Sequence, residues 1–155
     1  MTDVIARMAN SPPPAEVIAQ AGFFSSLAPA QRERVATVAK SMEFPARSDI
    51  YRLGDTAAFS YVLVRGMVRF NLPVGNRTAA AGEIIRRGEL FGWAALIRGA
   101  QRRMGTASCI TDCGVVAIDG EALLWLMDRD HSLGYAIMSG VSLLTTSTIT
   151  ALVTG

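Results

Sequence analysis

Apolar positions change their rhythm twice along this chain. Over residues 42–118 they come in short runs, such as Tyr61-Val62-Leu63-Val64, each too brief for a helix. Between the runs lie Pro45-Ala-Arg-Ser-Asp49, Gly54-Asp55, Gly66, Pro73-Val-Gly-Asn76, Gly82 and Gly88, residue types that set turns. Many short strands at this spacing predict a β-sandwich or β-roll. On either side the apolar spacing lengthens to three and four residues, which is the helical period. Upstream, the first dozen residues are expected to be loose, and Pro12-Pro13-Pro14 makes a stiff entry to a short helix that runs through Ala21 and stops at Gly22. Phe23-Phe24 then anchors it. Pro29 suits a first helical position, and Leu27, Val35, Val38, Ala39 and Met42 predict an amphipathic helix over 29–40. Downstream, Asp119 is placed to cap a helix over 120–128 whose apolar face is Leu123, Leu124, Leu126 and Met127. Asp130 or Ser132 is placed to cap a second, closing helix. The class is therefore α+β, a β-roll flanked by N-terminal helices and a C-terminal helix pair.

Composition narrows the picture. With 155 residues, half of them apolar, the chain can bury a real core. It divides into an N-terminal segment with its short helix, residues 1–22, and the domain proper, residues 23–155. Net charge is only +2, and the fourteen arginines against one lysine are scattered rather than gathered into a stripe, which argues against nucleic acid as a main partner. The closing segment 132–155 carries no charge, yet its nine Ser/Thr and three Gly argue against a membrane span. Ile137, Val141, Leu144, Thr148 and Ala151 alternate three and four apart, as in a buried or dimerising helix. Cys109 and Cys113 are expected to be buried thiols on either side of a turn at Asp112 and Gly114, with neither a disulfide framework nor a zinc site in prospect. No signal peptide is read at the N-terminus, so a cytoplasmic protein is expected.

One segment carries chemistry. In Gly88-Glu-Leu-Phe-Gly92 two glycines bracket an apolar pair, and a helix-compatible run over 93–97 comes next. Backbone N–H groups can converge on an anion at such a start. Eleven residues beyond Gly92 stands Arg103, followed by Met104 and Gly105. A guanidinium there can close over the same anion with a bidentate, charge-assisted pair, while the glycine allows close backbone approach. Phe91, Gly92, Trp93 and Ala94 form one side of this candidate ligand site, and Arg103, Met104 and Gly105 the other, with Arg102 as the fallback for Arg103. Catalysis has little support. His131 is the only histidine and sits in the charged linker Asp128-Arg-Asp-His131, where helix entry or solvation is its expected role.

The segment resembles the phosphate-binding cassette of the cyclic-nucleotide-binding domain family, whose best-known members are catabolite-activator-type bacterial regulators. That family's pattern is Gly, an acidic residue, an apolar residue, Phe or Ile, Gly, Glu and Leu, then after an interval Arg, Ser or Thr, and Ala. Gly88, Glu89, Leu90, Phe91, Gly92 and Arg103 match it. Residues 44–46, 51–55 and 61–69 are similar to the family's early strands, with Gly54 and Gly66 at its glycine turns, and 111–116 is similar to the closing strand. The likeness covers the chain from Phe23 onward. It implies a cyclic nucleotide or another small phosphate as ligand, no resident cofactor, and a last helix that both dimerises and contacts the base, with Thr148 at the base-contacting position. Two positions depart. Trp93 stands where the family has the glutamate that accepts from the ribose 2′-hydroxyl, and Met104 where it has a hydroxyl residue. An indole N–H only donates, so Trp93 cannot take over the glutamate's contact.

Three functions are then open to test. The first is a stand-alone regulatory module that binds a phosphate ligand at Gly92 and Arg103 and signals through its C-terminal helix. The second is a ligand-free scaffold, with Trp93 filling the ribose end, that dimerises or docks a partner protein. The third, a DNA-binding activator, would need a helix-turn-helix beyond Gly155, so DNA is not expected as a partner.

Overall fold

The computed structural model describes residues 11–74, 77–78, 83–99 and 101–154. Residues 1–10 of the dozen expected to be loose, Gly75, Asn76 and Gly82, where turns were expected, and Gly155 lie outside the described residues. Pro14 opens helix α1 (Pro14–Gln20), where a missing N–H removes no intrahelical bond. A 3-10 turn, Gly22–Phe24, comes next and sets Phe23 edge-on to Phe24 at 5.0 Å between ring centroids. Helix α2 (Pro29–Ala36) begins with the Gln31 side chain accepting the Ala28 N–H at 2.9 Å.

Helix α2 ends at Ala36, short of the expected 29–40. Thr37 donates its hydroxyl back to Arg34 O at 2.6 Å, and strand β1 (Ala39–Phe44) starts two residues later. The helical spacing of Val38, Ala39 and Met42 was a coincidence of two elements. Ala39 packs with the helices, while Met42 and Phe44 reach a second cluster on the other face, which is the period of a strand.

Nine further strands make up the roll: β2 (Asp49–Tyr51), β3 (Phe59–Arg65), β4 (Val68–Asn71), β5 (Pro73–Val74), β6 (Arg77–Thr78), β7 (Glu83–Ile85), β8 (Leu90–Phe91), β9 (Thr106–Cys109) and β10 (Cys113–Asp119). One antiparallel sheet runs β1-β10-β3-β8, a second β2-β9-β4-β7, and β5 pairs with β6. Tyr51, Tyr61, Leu63, Val68, Phe91, Val115 and Ala117 fill the space inside the roll. The alternate residues Val62, Val116 and Ile118 point the other way, onto Ile18, Phe24, Val35 and the C-terminal helices. With both faces covered, β3 and β10 read as unbroken apolar runs.

Asp119 caps α3 (Gly120–Arg129) by accepting the Ala122 N–H at 3.1 Å. Asp130 caps α4 (His131–Thr154) through Leu133 N at 3.2 Å, and Gln31 Nε2 donates to it at 3.1 Å. Along α4, Leu133, Ile137 and Val141 are buried in the chain's own core, Leu144 and Thr148 are half-buried, and Ala151 is exposed. Cys109 and Cys113 are free and buried on either side of the loop 110–112. Their mutual hydrogen bond, reinforced by burial, pushes the Cys109 thiol up. Among the described residues no helix is long and apolar enough to cross a membrane, and no cluster of metal-binding side chains occurs.

Candidate functional site

The site begins where β8 ends. Gly88 turns the chain at φ +87° and donates its N–H to Leu63 O at 2.7 Å, which hangs β8 on β3. Leu90 and Phe91 are buried beside Val62 and Tyr61. Gly92 then takes φ +72°, ψ +35°, and a Cβ there would lie 3.1 Å from Arg103 Nη1, 3.2 Å from Tyr61 and 3.3 Å from Tyr51. Both the left-handed backbone and the crowding demand glycine. Beyond Gly92 the chain makes a single 3-10 turn, Trp93–Leu96, rather than the helix start expected over 93–97. So short a turn has little macrodipole, and its contribution to holding an anion comes from the N–H groups of Trp93 and Ala94, which have no acceptor within it.

Arg103 is brought over this turn from the entry to β9. Its backbone is fixed by two bonds, N–H to Asp55 O at 2.8 Å and O from Gly54 N at 2.9 Å. Its side chain points inward and is only 4% exposed. Nη1 donates to Gly92 O at 3.0 Å, Nη2 donates to Phe59 O, and the guanidinium carbon lies 3.9 Å from the Tyr51 ring centroid. Nε is buried with no partner, and among the described residues no carboxylate forms an ion pair with Arg103. Burial lowers its pKa, an effect opposed by Tyr51, Tyr61 and Asp55. Burial likewise pushes the Tyr51 phenol up to about 12 and raises Tyr61, with the Arg103 charge acting against both shifts. A buried cation held only by carbonyl dipoles and an aromatic face is an incomplete arrangement. It can complete itself with an anion.

Arg102, the fallback, is exposed and donates Nη1 to Gly54 O at 3.2 Å, so the inward arginine is Arg103. Gly92, Trp93, Ala94, Arg103 and Met104 line one cavity, and α4 adds Leu144, Ser147 and Thr148 from above. Phe91 lines it as well. Gly105 does not: its bare Cα is pressed against Asn71 O and the Phe70 ring of β4. Met104 is 52% exposed, and Trp93 is half-buried, packed against the helix-side core. Thr148 spends its hydroxyl hydrogen on Leu144 O at 3.0 Å, leaving its oxygen as an acceptor. The volume of this cleft, which is open to solvent on one side, is about 70 Å³, below the several hundred of an ordinary ligand pocket.

Sequence reasoning named Phe91 but missed the tyrosines of the aromatic floor. Tyr51, Tyr61 and Phe91 stack at 6.2 and 5.2 Å between centroids beneath the guanidinium, and Tyr51 also lines the cavity. In a strand pattern an aromatic residue signals core, and nothing in its spacing marks it as an arginine's neighbour. Glu83, an exposed residue that opens the three-residue strand β7 and lines the cavity, was also missed.

The chain is thus a β-roll closed by two C-terminal helices, with an arginine and a left-handed glycine meeting over a short turn. The chain belongs to the cyclic nucleotide-binding domain family, whose model matches residues 41–130. No curated protein matches it by sequence. Solved structures show the same fold. One is a Geobacter metallireducens protein provisionally described as cyclic nucleotide-binding, with TM-score 0.74 and 23% identity, over 88% of this chain and 97% of that one. The N-terminal domain of a Streptomyces coelicolor transcriptional regulator gives 0.68 and 17%, over 85% and 94%. The Thermus thermophilus catabolite activator protein gives 0.69 and 22%, over 84% and 61%.

Proposed function

We propose that this chain is a regulatory module that binds a cyclic nucleotide or other small phosphate compound between Gly92 and Arg103 and passes the event on through α4. The observation that carries this reading is the buried Arg103, which lines the cavity and, among the described residues, has no carboxylate paired to its guanidinium. Evolution of a purely structural interior would replace such a cation by an apolar residue at little cost. Trp93 and Met104 border the phosphate, and Thr148 stands ready at the far side of the cavity. Because α4 carries Thr148 and Leu144 onto the cavity and Ile137 and Val141 into the core, a ligand too large for the closed space displaces the outer part of that helix.

The same helix offers the surface for a homodimer. Tyr135, Met138 and Ile149 are exposed and share one stripe with Ser142, three, four and seven residues apart. Met138→Glu is expected to convert the dimer to a monomer in analytical ultracentrifugation.

Calorimetry and thermal melts with cyclic AMP, cyclic GMP and inorganic phosphate test the binding reading. A stabilising shift that Arg103→Ala abolishes supports it. Absence of heat with all three compounds removes it in favour of a ligand-free scaffold. That second reading draws on the small cavity and on Trp93, and a gain of nucleotide affinity in Trp93→Glu would identify the indole as the obstruction.

A further inference from the structure

Helix α3 has an outer face that the fold leaves uncovered. Leu123 and Met127 are buried in the core, whereas Glu121, Leu124, Trp125 and Asp128 fall on another face of the helix and line an open groove of about 700 Å³. Ala95 and Ile97, from the turn after Gly92, form a second wall, and Ala57 and Ala58, just ahead of β3, a third. Trp93 and Ala94 of the same turn line the ligand cavity instead, so the groove is a separate site. Trp125 is 56% exposed although it is the largest side chain on α3. Arg129, which does not line the groove, stacks on the indole at 3.8 Å and holds the ring in place.

The rim of the groove is acidic. Three carboxylates, Asp119, Glu121 and Asp128, line it against one guanidinium, Arg98, a local net of −2 in a chain whose own net is +2. Arg98 is bound to Asp128, and Asp119 accepts the Ala122 N–H. Glu121 is exposed and pairs with no cation among the described residues. Carboxylates in water need no partner, but these select one: a cation arriving over the apolar floor is attracted and an anion is repelled. We propose that the groove docks a segment of another protein in which a large apolar side chain is flanked by arginine or lysine. The apolar group seats among Trp125, Ile97 and Ala58, and the cation lies against Glu121. The exposed apolar stripe of α4 belongs to a stretch without a single charge, so it does not complement this rim, and a second copy of the chain is not the occupant. The proposal is independent of what fills the cavity at Arg103.

Selection of a random peptide library displayed on phage against the full chain tests this, with Trp125→Ala and Glu121→Lys as comparison proteins. Both positions are exposed, so thermal melts of the variants should stay close to that of the unaltered chain. Recovered sequences should join a large apolar residue to arginine or lysine. Titration with synthetic copies should show affinity falling about tenfold or more in Trp125→Ala, the loss of a central aromatic anchor. In Glu121→Lys it should fall about threefold or more, and that effect should shrink as salt is raised. A selection that yields no binding sequence, sequences whose charged residues are acidic, or peptides that bind Trp125→Ala as tightly as the unaltered chain would overturn the proposal. So would sedimentation in which the unaltered chain self-associates and Trp125→Ala does not, since the groove would then be filled by a second copy.

Discussion

At the scale of single residues, two glycines in one segment separate backbone strain from site geometry. Gly88 and Gly92 both have positive φ, +87° and +72°, but a Cβ at Gly88 meets nothing within 4 Å, whereas one at Gly92 meets Arg103 and two tyrosines. Gly88→Ala is expected to cost about 1 kcal/mol through conformation alone and to leave ligand binding unchanged. Gly92→Ala should cost more and also weaken binding, because Arg103 must shift. Urea unfolding with titration calorimetry on both variants checks the contrast. Tyr51 yields a second expectation. Its pKa in the fold is about 12, against an ordinary value of 10.0, so the folded state keeps a proton that the unfolded chain loses. The stability linked to Tyr51 is fully present below pH 10 and is lost as pH rises from 10 to 12, amounting to about 2–3 kcal/mol. Urea midpoints should fall across that window, and the fall should be smaller in Tyr51→Phe. Arg103 was legible in the sequence from its spacing to Gly92, whereas its floor of tyrosines was not. Turn glycines and a lone arginine carry positional meaning in one dimension, while ring stacking is set by strand register in three.

Between elements, contact is closest where the cradle meets the helices. Gly120, the first residue of α3, lies so near Ala95 that a Cβ would overlap the Ala95 carbonyl oxygen and crowd its side chain. The turn Trp93–Leu96 and the start of α3 therefore move together. Gly120→Ala should destabilise by about 1–3 kcal/mol, the cost of overpacking. It should also lower ligand affinity, although residue 120 lies outside the cavity. Asp119→Ala, which removes only the cap, should cost about 1 kcal/mol and spare affinity. Chemical denaturation and calorimetry on the pair distinguish helix stability from coupling. The caps at Asp119 and Asp130 and the roll's turns were readable, since each depends on one residue type at one position. The end of α2 was not. Val35 and Met42 satisfy a helical period although they belong to different elements and different core clusters, and only the pairing of Ala39–Phe44 with β10 decides between the two periods.

For the molecule as a whole, α4 joins every region that matters. Its inner stripe, Leu133, Ile137 and Val141, is locked in the core, its next turns lay Leu144, Ser147 and Thr148 over the cavity, and its outer side presents Tyr135, Met138 and Ile149 to solvent. The sequence showed an uncharged helix but left open whether its regular stripe was core or interface, because apolar spacing is the same for both. The structure divides the roles along the helix. The cavity, about 70 Å³, is small beside a whole nucleotide, and the elements around it differ in how far they can yield. Gly92 and Arg103 are pinned by strand bonds and tight contacts, and residues 133–141 are held by buried side chains. The segment 144–151 is covered by neither. Hydrogen exchange read by mass spectrometry should therefore change over 144–151 when cyclic GMP or cyclic AMP is added and stay constant over 133–141. In Arg103→Ala the change should vanish. Exchange that alters over the whole of α4 would mean the helix moves as a rigid unit from Asp130. Exchange that alters nowhere on α4 while a nucleotide is bound would exclude this helix as the route by which the site is sensed.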